Sequence, residues 1–411
     1  MELKPGYKQT EVGVIPEEWD CVRIGDVAET SSGATPARSK QQDYFDGGVI
    51  PWVKTLDLNN SLILNSDECV TAKALQVTSL RIYPKESVLV AMYGGFNQIG
   101  RTGLLAMDAT INQALTAIRP ASSKLSSRYL LCYLNFRVEY WKSVASSSRK
   151  DPNITGKDVR DFPLPLPPLK EQESIGEALQ HIDDYIHSLV ALISKKDQLK
   201  QAAMQELLTG KRRLPGFEGE WVAGKLGDYV EKIVGGGTPS RANPGFWGGE
   251  IPWATVKDLT IFQPNQTQEW LTRDGLKNSS ANLIPAGTLI ASTRMALGKA
   301  VIFATDVAIN QGLKAIFFGK NGMARFFCYW FEANASAIDA IGGGSTVKGI
   351  SLSQLKALDV ANPGLAEQNA IVDVISDIET EIETLENRLT KTRALKQAMM
   401  QELLTGRIRL R

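Results

Sequence analysis

The residues with the most recognisable chemistry fall in two short loops. The first reads Tyr93-Gly94-Gly95-Phe96-Asn97-Gln98-Ile99-Gly100-Arg101, and the second Thr293-Arg294-Met295-Ala296-Leu297-Gly298-Lys299. An Asn-Gln pair follows each, Asn112-Gln113 and Asn310-Gln311. Asn and Gln amides pair with adenine edges, and Arg and Lys pair with guanine edges or phosphates. Repeated Asn-Gln pairs also tie off turns, and both readings stand at this point. Two further loops combine cations with small residues, Ser146-Ser147-Ser148-Arg149-Lys150 and Gly342-Gly343-Gly344-Ser345-Thr346-Val347-Lys348. Their backbone N–H groups and lysines suit a phosphate; a flexible solvent loop is the alternative. The candidate nucleic-acid contacts are therefore Tyr93, Asn97, Gln98, Arg101, Asn112, Gln113, Arg149, Lys150, Thr293, Arg294, Lys299, Asn310, Gln311, Thr346 and Lys348.

The elements that must position these loops are written twice. Residues 199–214 read LKQAAMQELLTGKRRL and residues 395–410 read LKQAMMQELLTGRIRL, a shift of 196. The same shift aligns Pro167-Pro168-Leu169-Lys170-Glu171-Gln172 with Pro363-Gly364-Leu365-Ala366-Glu367-Gln368. Upstream, Trp19 matches Trp221, Thr35-Pro36 matches Thr238-Pro239, Ile50-Pro51-Trp52 matches Ile251-Pro252-Trp253, and the two Asn-Gln pairs match, at shifts of 198 to 203. Fixed tails and diverged bodies indicate bodies free to specialise. Each body reads as mixed α/β. Ser87–Ala91 and Thr288–Ser292 read as short buried strands after Pro84 and Pro285, and each feeds one of the loops.

A long helix follows each body. Prolines 163, 165, 167 and 168, then Pro363, close the preceding structure. The apolar seam then runs Ile175, Leu179, Ile182, Ile186, Leu189, Ile193 in the first helix and Ile371, Ile375, Ile378, Ile382, Leu385, Leu389 in the second. Spacings alternate four and three, the coiled-coil pattern. Thr209-Gly210 and Thr405-Gly406 supply C-terminal caps. At 1.5 Å per residue each helix is about 60 Å long. Each is acidic early (Glu171, Glu173, Glu177, Asp183, Asp184) and basic late (Lys195, Lys196, Lys200, Lys211), with the same polarity in the second copy. A parallel pair sets acid beside acid; an antiparallel pair sets acid beside base. Antiparallel packing within one chain is expected, with a body at each end and pseudo-twofold symmetry. Two independent dimerisation arms are the alternative.

Bulk properties narrow the classes. Net charge is +1, so any nucleic-acid footprint must be local. No long uncharged apolar run is present, so no membrane span is expected, and the N-terminus lacks a signal-peptide pattern. Cys21, Cys69, Cys132 and Cys328 are far apart, which points to reduced thiols in a cytoplasm rather than a zinc site. His181 and His187 are the sole histidines, too few for most metal-hydrolase chemistry. No catalytic, cofactor-binding or metal-binding residue is assigned, and an enzyme is not expected.

The duplicated body, the segment Phe162-Pro163-Leu164-Pro165-Leu166-Pro167-Pro168-Leu169-Lys170-Glu171-Gln172, and the helix ending Gln205-Glu206-Leu207-Leu208-Thr209-Gly210 resemble specificity subunits of type I restriction-modification systems. The resemblance covers essentially the whole chain, with Gly364 departing from the second proline of the motif. It implies target-recognition domains at 1–165 and 213–362, and conserved helical spacers at 166–212 and 363–411. Each domain would read one half of a split double-stranded DNA target. The helices would dock two modification (methyltransferase) subunits that carry S-adenosylmethionine, and restriction/motor subunits would complete the complex. Two rivals stand beside it. Asn243-Pro244-Gly245-Phe246 approaches the Asn-Pro-Pro-aromatic motif of an adenine-N6 DNA methyltransferase, though no strand–glycine-loop–helix unit precedes it. The other is a non-DNA scaffold built on the coiled coil.

If the helices set the gap between half-sites, four residues inserted near Thr209 add roughly one helical turn, about 6 Å. A base pair spans about 3.4 Å along each strand, so the unread gap is expected to grow by one or two base pairs while both half-sites stay the same. The methylated motif of such a variant, made with its modification partner, reads this directly. An unchanged gap with full activity means that the helices are not the ruler.

Overall fold

Val88–Ala91 and Leu289–Ser292 carry no polar side chain except one serine, and in the computed structural model both are strands buried along their whole length. The structure describes residues 4–95, 97–145, 153–343 and 348–411. It divides into two units, one of Met1–Val190 with Asn387–Arg411 and the other of Ala191–Glu386.

In the first unit Val88–Ala91 is the centre of a five-stranded sheet. Its order is Ala28–Ser32, Leu115–Pro120, Val88–Ala91, Thr102–Leu105, Leu62–Ile63, antiparallel except at the last pair. A three-stranded sheet sets Ile50–Val53 between Thr110–Ile111 and Cys69–Val70. The second unit repeats the plan. One antiparallel sheet runs Val230–Gly235, Leu313–Phe318, Leu289–Ser292, Ala300–Ile302. The other runs Glu269–Leu271, Trp247–Ala254, Val307–Ile309, Asn282–Ile284, with its central pair parallel. A buried, aromatic-rich helix packs on each main sheet, Ser127–Phe136 in the first unit and Ala324–Ala333 in the second.

The prolines before the first long helix do more than end a segment. Pro163–Leu166 is itself a strand, antiparallel to Asp20–Arg23. A two-stranded ribbon is all edge, which is where proline is tolerated. Val222–Lys225 and Asp359–Asn362 form the matching ribbon of the second unit.

The long helices span Leu169–Leu207 and Leu365–Leu403. Gly210 and Gly406 follow their ends with φ of 69° and 70°, the left-handed conformation of a helix stop. Within the first unit, Ile175 and Leu179 share a core with Met400, Leu403 and Leu404. Within the second, Met204, Leu207 and Leu208 share one with Ile371, Val372 and Ile375. In each unit the end of one helix thus lies beside the start of the other, so the pairing is antiparallel and intramolecular. The charges follow: Lys396 meets Asp183 at 2.5 Å in the first unit, and in the second Lys200 meets Glu379 at 2.8 Å and Lys196 meets Glu381. Ile175, Leu179, Ile182, Leu189, Ile371 and Ile375 are buried; Ile186, Ile193, Ile378, Ile382, Leu385 and Leu389 are half-buried.

The Glu-Gln pair of the repeated motif explains its own spacing. Glu171 is buried and accepts a two-pronged bridge from Arg409, at 2.6 and 2.8 Å, and the Trp19 indole N–H at 3.2 Å. Glu367 repeats this with Arg213, at 2.5 and 2.7 Å, and with Trp221 at 3.0 Å. Gln172 faces the body instead. Its amide donates to the Lys124 and Pro167 carbonyls and accepts from the Ser126 N–H, each at 2.9 Å. Gln368 does likewise with Asn321, Pro363 and Met323.

This geometry relocates the insertion that tests the spacing. The first helix stops at Leu207, so residues added beside Thr209 fall past its end and pull Arg213 from Glu367. A lengthening insertion belongs inside Leu169–Leu207, with a matching one inside Leu365–Leu403.

Removing one partner of a buried bridge strands the other charge, which costs about 3–5 kcal/mol. Arg409→Ala is expected to destabilise the first unit by that order, read as a lower urea midpoint of its transition. Burial pushes the Glu171 carboxyl up, but Arg409 and the Trp19 N–H outweigh it and hold it below its ordinary value. The bridge therefore stabilises fully above the usual glutamate pKa of about 4.3 and loses that contribution as pH falls through the lower folded value. Arg409→Ala should flatten this acid limb. An unchanged urea midpoint would show that the bridge carries no stability.

Candidate nucleic-acid interface

The interface is clearest in the second unit. Leu289–Ser292 pairs with Leu313–Phe318, so the loop that follows Ser292 emerges beside the Asn310–Gly312 turn, and the Thr293 N–H donates to the Gly312 carbonyl at 3.0 Å. Met295 N–H donates to the Lys348 carbonyl at 2.9 Å. Three segments separated in sequence, 293–299, 310–312 and 348–350, thus converge. The Ser292 hydroxyl donates to the Arg294 carbonyl at 2.6 Å, and Leu297 is buried, so the loop is pinned from below. Its exposed side chains are Arg294, Met295 and Lys299.

The candidate residues differ in what they offer. Thr293 is buried, and its hydroxyl donates to the Gly312 carbonyl at 3.2 Å, so it holds the loop and presents nothing outward. The Asn310 Oδ1 accepts the Gly312 N–H at 3.0 Å, and the Gln311 Oε1 accepts the Thr238 hydroxyl at 2.6 Å. In the second unit the Asn-Gln pair therefore ties the turn that supports the loop. Lys348 is bridged to Asp339 at 2.5 Å. Arg294 and Lys299 form no ion pair among the described residues. Nor does Lys314, a half-buried neighbour absent from the sequence reading, whose ammonium donates to the Gln311 carbonyl at 2.8 Å. Burial and then the Arg294 guanidinium both push Lys314 below its ordinary value. Arg294 and Lys314 are thus neighbouring cations with no ion-paired carboxylate among the described residues.

The first unit has the same frame with other groups. Met92 N–H donates to the Ala114 carbonyl at 2.8 Å, which sets the loop beside Asn112-Gln113. Tyr93, Asn97 and Gln113 are exposed, while Gln98 and Arg101 are half-buried. The Gln98 side chain folds back over Gly94, where a Cβ would meet its Oε1 at 2.0 Å. The Asn112 Oδ1 is buried with no hydrogen-bond partner among the described residues. Arg149, Lys150 and Thr346 lie outside the described residues.

A cradle beside each turn was not foreseen. Arg241 lies 3.7 Å above the Trp247 ring centroid and 5.4 Å from that of Trp253, and both prongs of its guanidinium bridge to Glu269. In the first unit Arg38 lies 4.3 Å from the Phe45 centroid and 5.1 Å from that of Trp52, and bridges to Glu68 at 2.5 Å. The Trp253 N–H donates to the Gly237 carbonyl at 3.0 Å, as that of Trp52 does to the Ala34 carbonyl at 3.2 Å. The Ile-Pro-Trp repeat was visible in the sequence. The signal that would have completed it was Arg and Glu recurring at nearly the same shift. In the second unit an open cavity of about 610 Å³ lies against this cradle, lined by Arg241, Trp253, Lys257, Glu269, Met295 and Asn310.

Other chemistry fades on inspection. The Asn243 Oδ1 accepts the Gly245 N–H at 3.0 Å, so Asn243–Phe246 is a capped turn ahead of a strand. Burial pushes the Cys132 and Cys328 thiols up to about 12, so neither is poised as a thiolate. Among the described residues no helix is long and apolar enough to cross a membrane, and no group of three His, Cys, Asp or Glu is placed to hold a metal ion.

Known proteins share this pattern. The family model for the type I restriction modification DNA specificity domain matches residues 16–200 and again 218–392. The chain is 27% identical over 306 residues to the type I restriction enzyme MjaIX specificity subunit of Methanocaldococcus jannaschii, covering 69% of this chain and 68% of that one. It is 23% identical over 422 residues to the putative MjaX specificity subunit of the same organism, covering 98% and 97%. In fold it is similar to the S subunit of a type I restriction-modification system from M. genitalium, with a TM-score of 0.61 at 12% identity over 98% of each chain.

If Arg294 and Lys314 face phosphates, each should release about one condensed counterion. Replacing both with glutamine is expected to lower the slope of log affinity against log salt on duplex DNA by roughly 0.9 per charge, weakening all sequences alike. A base contact by Arg294 would instead cost about 1–3 kcal/mol at one position of the target and leave the slope nearly intact. An unchanged slope together with unchanged specificity would remove both residues from the interface.

Proposed function

We infer, from a chain that belongs to the type I restriction modification DNA specificity family, that each of its two bodies reads one half of a split duplex sequence for a restriction-modification complex. The family role is recognition rather than catalysis. The observation that carries the two-reader assignment is the duplication itself. The family match occurs once in each body, and each body rebuilds the same sheet, outward loop, arginine–aromatic cradle and Glu–Arg bridge.

A reader of this kind needs a stiff platform and a replaceable tip. The buried central strands and the hydrogen-bonded turns supply the first; the exposed side chains at 93–101 and 294–299 supply the second. Cations such as Arg294 and Lys299 hold the phosphates or guanine edges, and register along the duplex then decides which bases meet the remaining side chains. The two long helices are the natural docking surface for two modification subunits, and restriction/motor subunits join in the complete assembly. The methyl donor, S-adenosylmethionine, belongs in this reading to the modification subunits; the residues of this chain bind and orient the DNA.

Exchanging residues 1–160 for those of a relative with another target, and sequencing the methylated adenines made with the modification partner, tests the assignment. One half of the recognised sequence is expected to change and the other to persist. If both halves change, or if Arg294→Ala alters the half read by the first body, the one-body-one-half assignment is wrong.

A further inference from the structure

Met295 is the outlier of the second loop. It is 68% exposed and has φ +68°, a left-handed backbone that side chains with a Cβ avoid. The strand pairing aligns Ala91 with Ser292, which places Gly94, at φ +121°, at the matching position of the first unit. Where the first unit has glycine, the second keeps a long apolar side chain despite the strain. The neighbours hold this conformation: the Met295 N–H is donated to the Lys348 carbonyl at 2.9 Å, and Leu297 is buried two residues on. The loop therefore aims one apolar group outward from a fixed base. The preceding residue, Arg294, is exposed and without an ion pair among the described residues, whereas Lys299 lines a separate cavity beside Glu332 and Glu379. Strain kept at a surface tip is a mark of function rather than of folding.

We propose that Met295 is a specificity-determining residue that reads the C5-methyl group of a thymine in the major groove of the half-site bound by the second body. The proposal rests on the two-reader assignment above. A cation beside an apolar group matches the layout of a groove, where phosphates border the base edges and the thymine methyl is the one apolar feature among donors and acceptors. Methionine suits this contact because its unbranched, polarizable thioether adapts to the methyl it meets. Arg241 is already committed to Glu269 and Trp247, so the cradle beside Met295 acts as a wall and not as a second reader.

The test uses the complex of this chain with its modification subunits and a duplex carrying its own methylated motif. Each thymine of the half-site assigned to the second body is replaced in turn by deoxyuridine, which removes only the methyl group. With the wild-type chain one such replacement is expected to weaken binding roughly fourfold, the worth of about one buried methyl group. With Met295→Gly, which adopts the left-handed backbone freely, the same replacement should cost nothing, while the melting temperature stays close to that of the wild type. Met295→Asn, also tolerant of that backbone, should behave as glycine does. Equal uracil penalties in wild type and Met295→Gly would overturn the proposal. So would a loss of DNA bending in Met295→Gly without any uracil effect, which would make the side chain a wedge between base steps. A uracil effect that moved to the other half-site would overturn the two-reader assignment instead.

Discussion

A buried carboxylate at the start of each long helix governs much of what surrounds it. Glu171 and Glu367 lie out of water, where an unpaired charge is costly, and each is answered by a planar guanidinium and an indole N–H. The guanidinium comes from just past the end of the other helix. That contact pairs the end of one helix with the start of its partner in each unit, in the same direction and register as the apolar residues packed there. The adjacent Gln172 and Gln368 turn to the body and take up its loop carbonyls and an N–H. Two neighbouring side chains thus join helix to helix and helix to body, and a recognition loop inherits its position from them through a continuous set of packed strands.

Much of this was legible in the sequence because it rests on period and charge. The alternation of four and three, and the acid-to-base polarity of both helices, call for antiparallel pairing, and Asp183–Lys396 and Lys200–Glu379 realise it. The strands after Pro84 and Pro285 were legible for the same reason, as short apolar runs behind a break. What escaped needed long-range geometry. Nothing local in Pro163–Leu166 announces a strand, because its partner Asp20–Arg23 lies far upstream. Asn310 and Gln311 have the right chemistry for adenine, and the use of their side-chain oxygens to accept from Gly312 and Thr238 could not be read from the sequence. Lys314 was passed over because a lysine in a strand draws no notice until its neighbours are known to include another cation and no carboxylate.

The two bodies show how such a frame tolerates change. By register Lys314 stands where the first body has Thr116, whose hydroxyl shares a hydrogen bond with Ser32 at 3.1 Å, and Arg294 stands where it has Tyr93. The strand backbone is the same in both places; the charge and the apolar surface are not. Positions that build the frame recur, among them Trp52 and Trp253 of the cradle and the Glu–Arg bridge. Positions near strand ends differ: Tyr93 and Arg294 are exposed, while Thr116 is buried and Lys314 half-buried.

The division of the chain bears on the order in which it is made. The first unit is assembled from two segments with the whole of the second unit between them. Its core lacks Met400, Leu403, Leu404 and the Arg409 bridge until the segment 387–411 has left the ribosome. At about 5–20 residues per second, the N-terminal segment waits roughly ten to forty seconds without these C-terminal partners of its core. The second unit, which is continuous, closes first, reversing the usual N-to-C sequence of domain completion. Chaperone demand during synthesis should accordingly fall on the first body, although it is the earlier of the two to emerge.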